Sequence, residues 1–410
     1  MIRRFALSCF IGGFAVMTFG QRNIPDSLIY LFNRQLEVFP QEKIYVHTDK
    51  PYYISGEQLW FRAYLTDAVN HVPAIASRYV YVELIDPLDS VVVREKIHQD
   101  EGVYHGRLLI PDDVPEGDYT LRAYTHFMLN QDEHYFFTKT IHIGDPQSRN
   151  MHIDTDFSFI DGRREQVSLK FRFSNLSLAG AYEPFVPQSV KVRLNNGKPM
   201  NIKMNDDGTT GVVFNLPTGA RKKVVLLEAA TTKNPYRKFI TIPAPDDDFD
   251  VAFFPEGGSL MQGTTCKLTF KAMKSDGQAT HIAGILYDQD GNEVRHVQSD
   301  YLGMGRFPHL AEKGKSYYLV CENEKGASKR FDLPAVVERG FALSVQQSKD
   351  KIYIAALKPA KFTTNEALYL LAHTRGNIHF VELWDHNKNT VIIEKEQLPS
   401  GVLHLILLDA

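Results

Sequence analysis

The sequence predicts an all-β chain: tandem antiparallel β-sandwiches of about 100 residues each, led in by one short helix. Three observations carry that expectation. First, a turn built on Gly, usually with Pro, runs into an apolar strand four times, about a hundred positions apart. The copies are Val114-Pro115-Glu116-Gly117, Leu216-Pro217-Thr218-Gly219, Glu312-Lys313-Gly314 and Leu398-Pro399-Ser400-Gly401. Second, apolar and polar residues alternate with period two over long runs, the pattern of half-buried antiparallel sheet. Third, a helical period is convincing in one place only. Length agrees, since 410 residues hold about three or four ordinary domains.

The chain opens on a signal-peptide pattern over residues 1–20. Arg3-Arg4 precede an apolar run from Phe5 to Phe19, too short to span a bilayer comfortably, and small residues allow cleavage before Gln21. A retained anchor, or a lipoprotein acylated at Cys9, is the competing reading. Export is expected, with no transmembrane span once the signal is removed. A helical lead-in follows over 21–40: positions 28, 31, 32 and 35, apolar except for Gln35, recur at the helical period after an early Pro25 and Asp26, and the helix reads as a lid on the first sandwich.

Four sandwiches are then expected, over 41–146, 147–245, 246–338 and 339–410. In the first, Val80, Val82 and Leu84 alternate with Tyr79, Tyr81 and Glu83 before Asp86-Pro87-Leu88-Asp89-Ser90 turns the chain into 91–93. In the second, Val167, Leu169, Phe171 and Phe173 face opposite to Ser168, Lys170 and Arg172. Val190, Val192 and Leu194 then reach an Asn195-Asn196-Gly197 hairpin signal. Pro243-Ala244-Pro245 and Asp246-Asp247-Asp248 form a linker into the third. After Gly401 the fourth has room for no further strand, so an open sheet edge is expected there, to be filled by a longer chain or by a partner.

Catalytic motifs do not surface: no GxSxG elbow, HExxH, P-loop or GxGxxG after a strand is present. No catalytic, cofactor or metal residues are therefore assigned. The 15 histidines are scattered, as His126, His134 and His142 illustrate. Asp288-Gln289-Asp290-Gly291-Asn292-Glu293 has its glycine too early for a calcium loop and reads as a hairpin turn. A net charge of −3 offers no reason to expect nucleic acid as a partner. Cys266 and Cys321 lie in strands placed to face each other across the third sandwich. A disulfide and two buried free thiols are both open readings. Alternation puts Trp60, Arg62 and Tyr64 on one strand face and Leu59, Phe61 and Leu65 on the other. That aromatic face is either buried or a candidate ligand platform.

The run Glu42-Lys43-Ile44-Tyr45-Val46-His47-Thr48-Asp49-Lys50-Pro51-Tyr52-Tyr53, continued by Gly56-Glu57-Gln58-Leu59-Trp60-Phe61-Arg62-Ala63-Tyr64, resembles the MG2 domain of the alpha-2-macroglobulin superfamily, in the version common in Bacteroidota envelope proteins. Pro115-Glu116-Gly117-Asp118-Tyr119 fits the same pattern. Phe253-Phe254-Pro255-Glu256-Gly257-Gly258 and Leu302-Gly303-Met304-Gly305-Arg306-Phe307 resemble a further domain of those proteins. The resemblance implies immunoglobulin-like, macroglobulin-type sandwiches in the cell envelope and an association with endopeptidase inhibition. Some relatives carry a domain like the plug of a TonB-dependent receptor. Neither Cys266-Lys267-Leu268 nor Cys321-Glu322-Asn323 resembles the Cys-Gly-Glu-Gln thioester of covalent traps. The leading expectation is a non-enzymatic scaffold or protein-recognition arm whose partner is an outer-membrane receptor or a protease. A protease inhibitor without a thioester is the alternative, and a glycan-binding module the third reading.

Overall fold

A computed structural model describes residues 24–409 except 147–150, 161–162, 178–179, 218–222, 231–234, 365 and 389, with backbone alone for 163–165. The signal-peptide segment 1–20, Cys9 and the second turn copy at Thr218-Gly219 lie outside the described residues.

The architecture is all-β with one N-terminal helix, α1 (Ile24–Val38). The first group of strands is β1 (Glu42–Thr48), β2 (Tyr52–Ile54), β3 (Gln58–Asp67), β4 (Tyr79–Ile85), β5 (Val91–His98), β6 (Tyr104–Leu109), β7 (Gly117–Thr125) and β8 (Phe137–Gly144). They form a three-stranded sheet β1-β3-β6 and a five-stranded sheet β2-β8-β7-β4-β5. The inward positions of both sheets, among them Val46, Leu59, Phe61, Val82, Tyr104, Leu121 and Ile141, close one core. Expected alternation holds in β4 except at Glu83. It points outward yet is fully buried, because Arg94, Arg122 and the Tyr124 hydroxyl close over its carboxylate.

The second group is β9 (Met151–Ile160), β10 (Arg163–Leu176), β11 (Tyr182–Pro184), β12 (Ser189–Leu194), β13 (Met200–Ile202), β14 (Thr209–Asn215), β15 (Val224–Ala230) and β16 (Tyr236–Thr241). β10 centres one sheet with β9, β14 and β11; the other has the order β13-β12-β15-β16. Val167, Leu169, Phe171 and Phe173 are buried, and the Asn-Gly turn brings Asn195 to a φ of 46°.

The third is β17 (Phe249–Pro255), β18 (Leu260–Met261), β19 (Thr265–Lys274), β20 (Ile282–Asp288), β21 (Glu293–Gln298), β22 (Met304–Leu310), β23 (Tyr317–Asn323), β24 (Ser328–Asp332) and β25 (Val336–Val337). Its sheets are β17-β19-β22, β21-β20-β23-β24 and the parallel pair β18-β25. Asp288 accepts from the backbone N–H groups of Asp290 and Asn292, so this segment is a hairpin turn.

The last strands are β26 (Ala342–Gln347), β27 (Lys351–Leu357), β28 (Leu368–Thr374), β29 (Asn377–Leu383), β30 (Val391–Glu394) and β31 (His404–Asp409). They make the sheets β26-β27-β30 and β29-β28-β31. By compactness the chain divides into two units. The larger spans Gln41–Asn365 and Asp385–Ser400; the smaller holds α1, Glu366–Trp384 and the residues from Gly401 on.

Within the smaller unit α1 packs on the last sheet through β29, with the Phe32 and His373 rings 5.2 Å apart. This corrects the expectation of a lid on the first sandwich. The half-buried positions of α1 are 25, 27, 28, 29, 32 and 36, whereas Leu31 and Gln35, both assigned to the apolar face above, are exposed, Leu31 by 62%. The strand after each repeated turn has two neighbours in the first three groups: β7 between β4 and β8, β15 between β12 and β16, β23 between β20 and β24. Among the described residues β31 pairs with β28 alone.

The two cysteines are free and buried, which removes the disulfide. Cys266 faces inward from β19 beside its cross-strand neighbour His309. Cys321 faces inward from β23 opposite Gly284, where a Cβ would come within 2.6 Å of the Cys321 Cβ. Each thiol fills a place in one apolar core, and that burial pushes both up, Cys321 to about 11.

Candidate functional site

The strand that carries Trp60, Arg62 and Tyr64 is fixed by a short network just before it. Asp49 Oδ1 accepts from the Tyr53 hydroxyl at 2.6 Å and from the Trp60 backbone N–H at 3.0 Å, while the Asp49 N–H donates to the Trp60 carbonyl at 3.1 Å. Burial and the neighbouring Asp49 carboxylate hold the Tyr53 phenol well above its ordinary range. On the turn itself Lys50 Nζ reaches Glu57 Oε1 at 3.0 Å, and Glu57 Oε2 accepts the Ile54 N–H at 3.0 Å. The Lys50 hydrogen bond holds the Glu57 carboxyl below its usual value. Gly56 adopts a φ of 86°, and a Cβ there would lie 2.3 Å from Asp112 Oδ1. One aspartate thus ties the start of β3 to the turn that precedes it.

β3 alternates strictly from there. Leu59, Phe61, Ala63 and Leu65 enter the core; Trp60 (50% exposed), Arg62 and Tyr64 (43% exposed) face solvent. The aromatic face of the sequence is therefore an accessible platform and not a buried one. Register brings β1 and β6 alongside: Tyr45 opposite Tyr64, His47 opposite Arg62, Arg107 opposite Trp60, and His105 opposite Arg62 on its other side. The Arg62 guanidinium lies 5.2 Å from the Tyr64 ring centre and that of Arg107 5.4 Å from Trp60, where the Gln58 side chain also holds it at 3.1 Å. Outward positions of the three strands add Lys43 and Leu109 and contain no carboxylate between Lys43 and His47, Gln58 and Tyr64, or His105 and Leu109. The surface offers π faces and unneutralised cations on a rigid sheet. It can grip an anionic or polar partner.

Residues 43–138 match the family model of the MG2 domain.

The platform, its Asp49 staple and the five-stranded sheet behind it all lie in or beside this MG2 match. No curated protein matches the chain. Among solved structures, native alpha-2-macroglobulin of E. coli is 12% identical, with 87% of this chain and 27% of that one covered at a TM-score of 0.28. Methylamine-reacted alpha-2-macroglobulin of Salmonella is 10% identical, with 86% and 27% covered at 0.28. A tetra-tandem repeat from the extending region of a large adhesion protein is 11% identical, with 90% and 95% covered at 0.21. The chain spans about a quarter of the length of the two macroglobulin chains.

Cys266 and Cys321, the other residues singled out in the sequence, lie apart from this platform in the third core. Sequence reasoning missed Lys43, Tyr45, His47, His105 and Arg107. Their own alternation (Lys43-Ile44-Tyr45-Val46-His47) was visible, but the pairing of β1 and β6 with β3 was not. Among the described residues, no group of three or more His, Cys, Asp or Glu side chains could hold a metal ion. No helix of these residues is long and apolar enough to cross a membrane.

Proposed function

We propose that this chain is a non-enzymatic, exported macroglobulin-like protein that serves as a scaffold or protein-recognition arm in the cell envelope. The division we assign is 41–146, 147–245, 246–338 and 339–410, behind a signal peptide over 1–20, with residence in the periplasm or at the outer membrane.

The observation that carries this reading is the construction of the joints in the larger unit. Between first and second groups the Glu116 N–H donates to the Arg237 carbonyl at 2.9 Å, and the Phe239 N–H donates to the Glu116 carbonyl at 2.7 Å. Phe239, Val224 and Leu226 complete the first core, and a Cβ on Gly117 would meet Phe239 at 3.1 Å. Between second and third, the Ala244 N–H donates to the Asp276 carboxylate at 3.3 Å. Beyond the third, Glu256 Oε1 accepts the Val345 N–H at 2.9 Å, and Gly257 lies so close to Leu343 that a Cβ would be 2.5 Å from its backbone. Flexibly strung beads would show polar, sparsely bonded linkers; a first joint with shared backbone hydrogen bonds and shared core, and later joints tied by bonds between backbone and carboxylates, suit an arm that holds a shape. The Trp60 platform would then be one presented contact surface.

The test is crosslinking in the native envelope followed by mass spectrometry. Recovery of an outer-membrane receptor, such as a TonB-dependent one, is the expected result. Recovery of proteases, with this chain cut at one preferred site, would replace the scaffold with an endopeptidase inhibitor. The exposed Trp60 and Tyr64 also favour a second reading, a glycan-binding module. Tryptophan fluorescence unchanged across a polysaccharide panel would dismiss it.

A further inference from the structure

The outer face of β17-β19-β22 differs from the Trp60 platform in being concave. A cavity of about 520 Å³ opens on it, within the size of small-ligand sites. The wall at one side is built by the segment before β22. There the Asp300 N–H donates to the Met304 carbonyl at 2.6 Å, and residues Tyr301–Gly303 make a single tight turn. Leu302 is held at a φ of 53° and Gly303 at 71°; a Cβ on Gly303 would come 2.3 Å from the Ala272 carbonyl oxygen. The turn is thus pressed onto the end of β19, and it stands Tyr301 out into solvent, 74% exposed. A non-glycine residue in the left-handed region is a conformation that sites of function retain against its strain. Phe254 forms the opposite wall from β17, and Met304 lines the cavity from β22. Those two strands flank β19, so the apolar walls stand about 10 Å apart, room for one ring lying on the sheet.

Polar recognition in this cavity falls to two cations. The Thr269 hydroxyl already donates to the Phe254 carbonyl at 2.8 Å. Lys271 and Arg306 line the cavity and make no ion pair or side-chain hydrogen bond among the described residues, against one lining carboxylate, Asp300. On the first sheet the arginines rest on aromatic rings; here neither cation does. Free cations beside exposed apolar walls complement a ligand that joins a ring to a negative charge.

We propose that this cavity is a binding site for a small ligand with an aromatic body and one anionic group, seated between Phe254 and Tyr301 with its charge on Lys271 and Arg306. The inference is independent of the scaffold reading.

The probe is 8-anilinonaphthalene-1-sulfonate, titrated by fluorescence against the full chain, with its uncharged counterpart N-phenyl-1-naphthylamine in parallel. Wild type should bind the sulfonate saturably at one equivalent. The Lys271→Glu/Arg306→Glu variant should weaken it about tenfold or more, the scale of hydrogen bonds to a charged group. Lys313→Glu, outside the cavity, should leave it unchanged. Tyr301→Ala should weaken both probes, while charge reversal should spare the neutral one. These positions are exposed, and circular dichroism melts verify folding. Equal binding of the sulfonate by wild type and both cavity variants, or its failure to saturate on wild type, overturns the proposal.

Discussion

His309 gives the third sandwich an acid-sensitive core. It points inward from β22 with 3% of its surface exposed, and its Nε2 has no hydrogen-bond partner among the described residues. The Tyr317 ring stands perpendicular to it at 4.4 Å, Cys266 is its cross-strand neighbour, and Phe307 lies beyond at 6.4 Å. Burial, reinforced by Arg295 and only partly opposed by Glu312, holds the imidazole down to about 4 from an ordinary 6.5. The sign follows from linkage. Above pH 6.5 the ring is neutral in folded and unfolded chains alike, so it contributes no pH dependence. Between 6.5 and 4 the unfolded chain takes up the proton and the folded chain does not, so stability falls as the pH falls. With each pKa unit worth about 1.4 kcal/mol, the loss is about 2 kcal/mol at pH 5 and levels near 3 kcal/mol below pH 4. The assay is urea unfolding at pH 8, 6 and 5, read by hydrogen exchange in peptides from β19 and β22, for wild type and His309→Phe. Packing changes in the variant shift its stability at every pH, so the quantity compared is the drop between pH 8 and pH 5. Wild type should lose about 2 kcal/mol more than the variant. Equal losses would refute the argument, as would a His309 resonance, assigned by its absence in the variant, that titrates near 6.5.

Three further outcomes are expected. Asp49→Ala removes the acceptor for the Tyr53 hydroxyl and the Trp60 N–H, so it should destabilise the first sandwich by about 2–3 kcal/mol; a melting curve unmoved by more than 1 °C would mean the staple does not act. Gly257→Ala forces a Cβ to within 2.5 Å of the Leu343 backbone at a φ of 77°, and should open the joint after the third sandwich. Faster limited proteolysis near residues 338–346 is its signature, and an unchanged cleavage pattern would contradict the tight joint. Both thiols should react with Ellman's reagent only after denaturation without reductant, Cys266 and Cys321 being free and buried; no reactive thiol under those conditions would restore the disulfide.

Period-two alternation made one half of this structure legible, because a side chain's face on a strand depends on its own strand alone. Leu59, Phe61 and Leu65 were set on one face, as were Val167, Leu169, Phe171 and Phe173, and the structure buries both sets. Pairing is a property of two strands, and nothing local to Trp60 says that Arg107, some 47 positions on, lies opposite it. The platform was therefore visible as three residues of one strand and invisible as a sheet. Glu83 failed for the same reason: its outward position was legible, whereas the two arginines and the tyrosine that bury it come from β5 and β7.

The MG2-like motif shows how far a short pattern can mislead about roles while pointing to the right place. Its Trp-Phe pair divides between the two faces of the strand: Phe61 enters the core and Trp60 is held outward. What the motif fixes is the backbone, since Asp49 grips Trp60 by its N–H and carbonyl and leaves the indole free. A core tryptophan would need no such grip, because burial alone would orient it. Binding the main chain of a solvent-facing aromatic, and resting an arginine on its ring, lowers the number of states the side chain must give up when a partner arrives. The same economy governs Gly257, whose place in Phe253-Phe254-Pro255-Glu256-Gly257-Gly258 looks like an ordinary turn and serves instead as a seat for the Leu343 backbone. In both motifs the distinctive residues set the position of backbone that a neighbouring strand must meet.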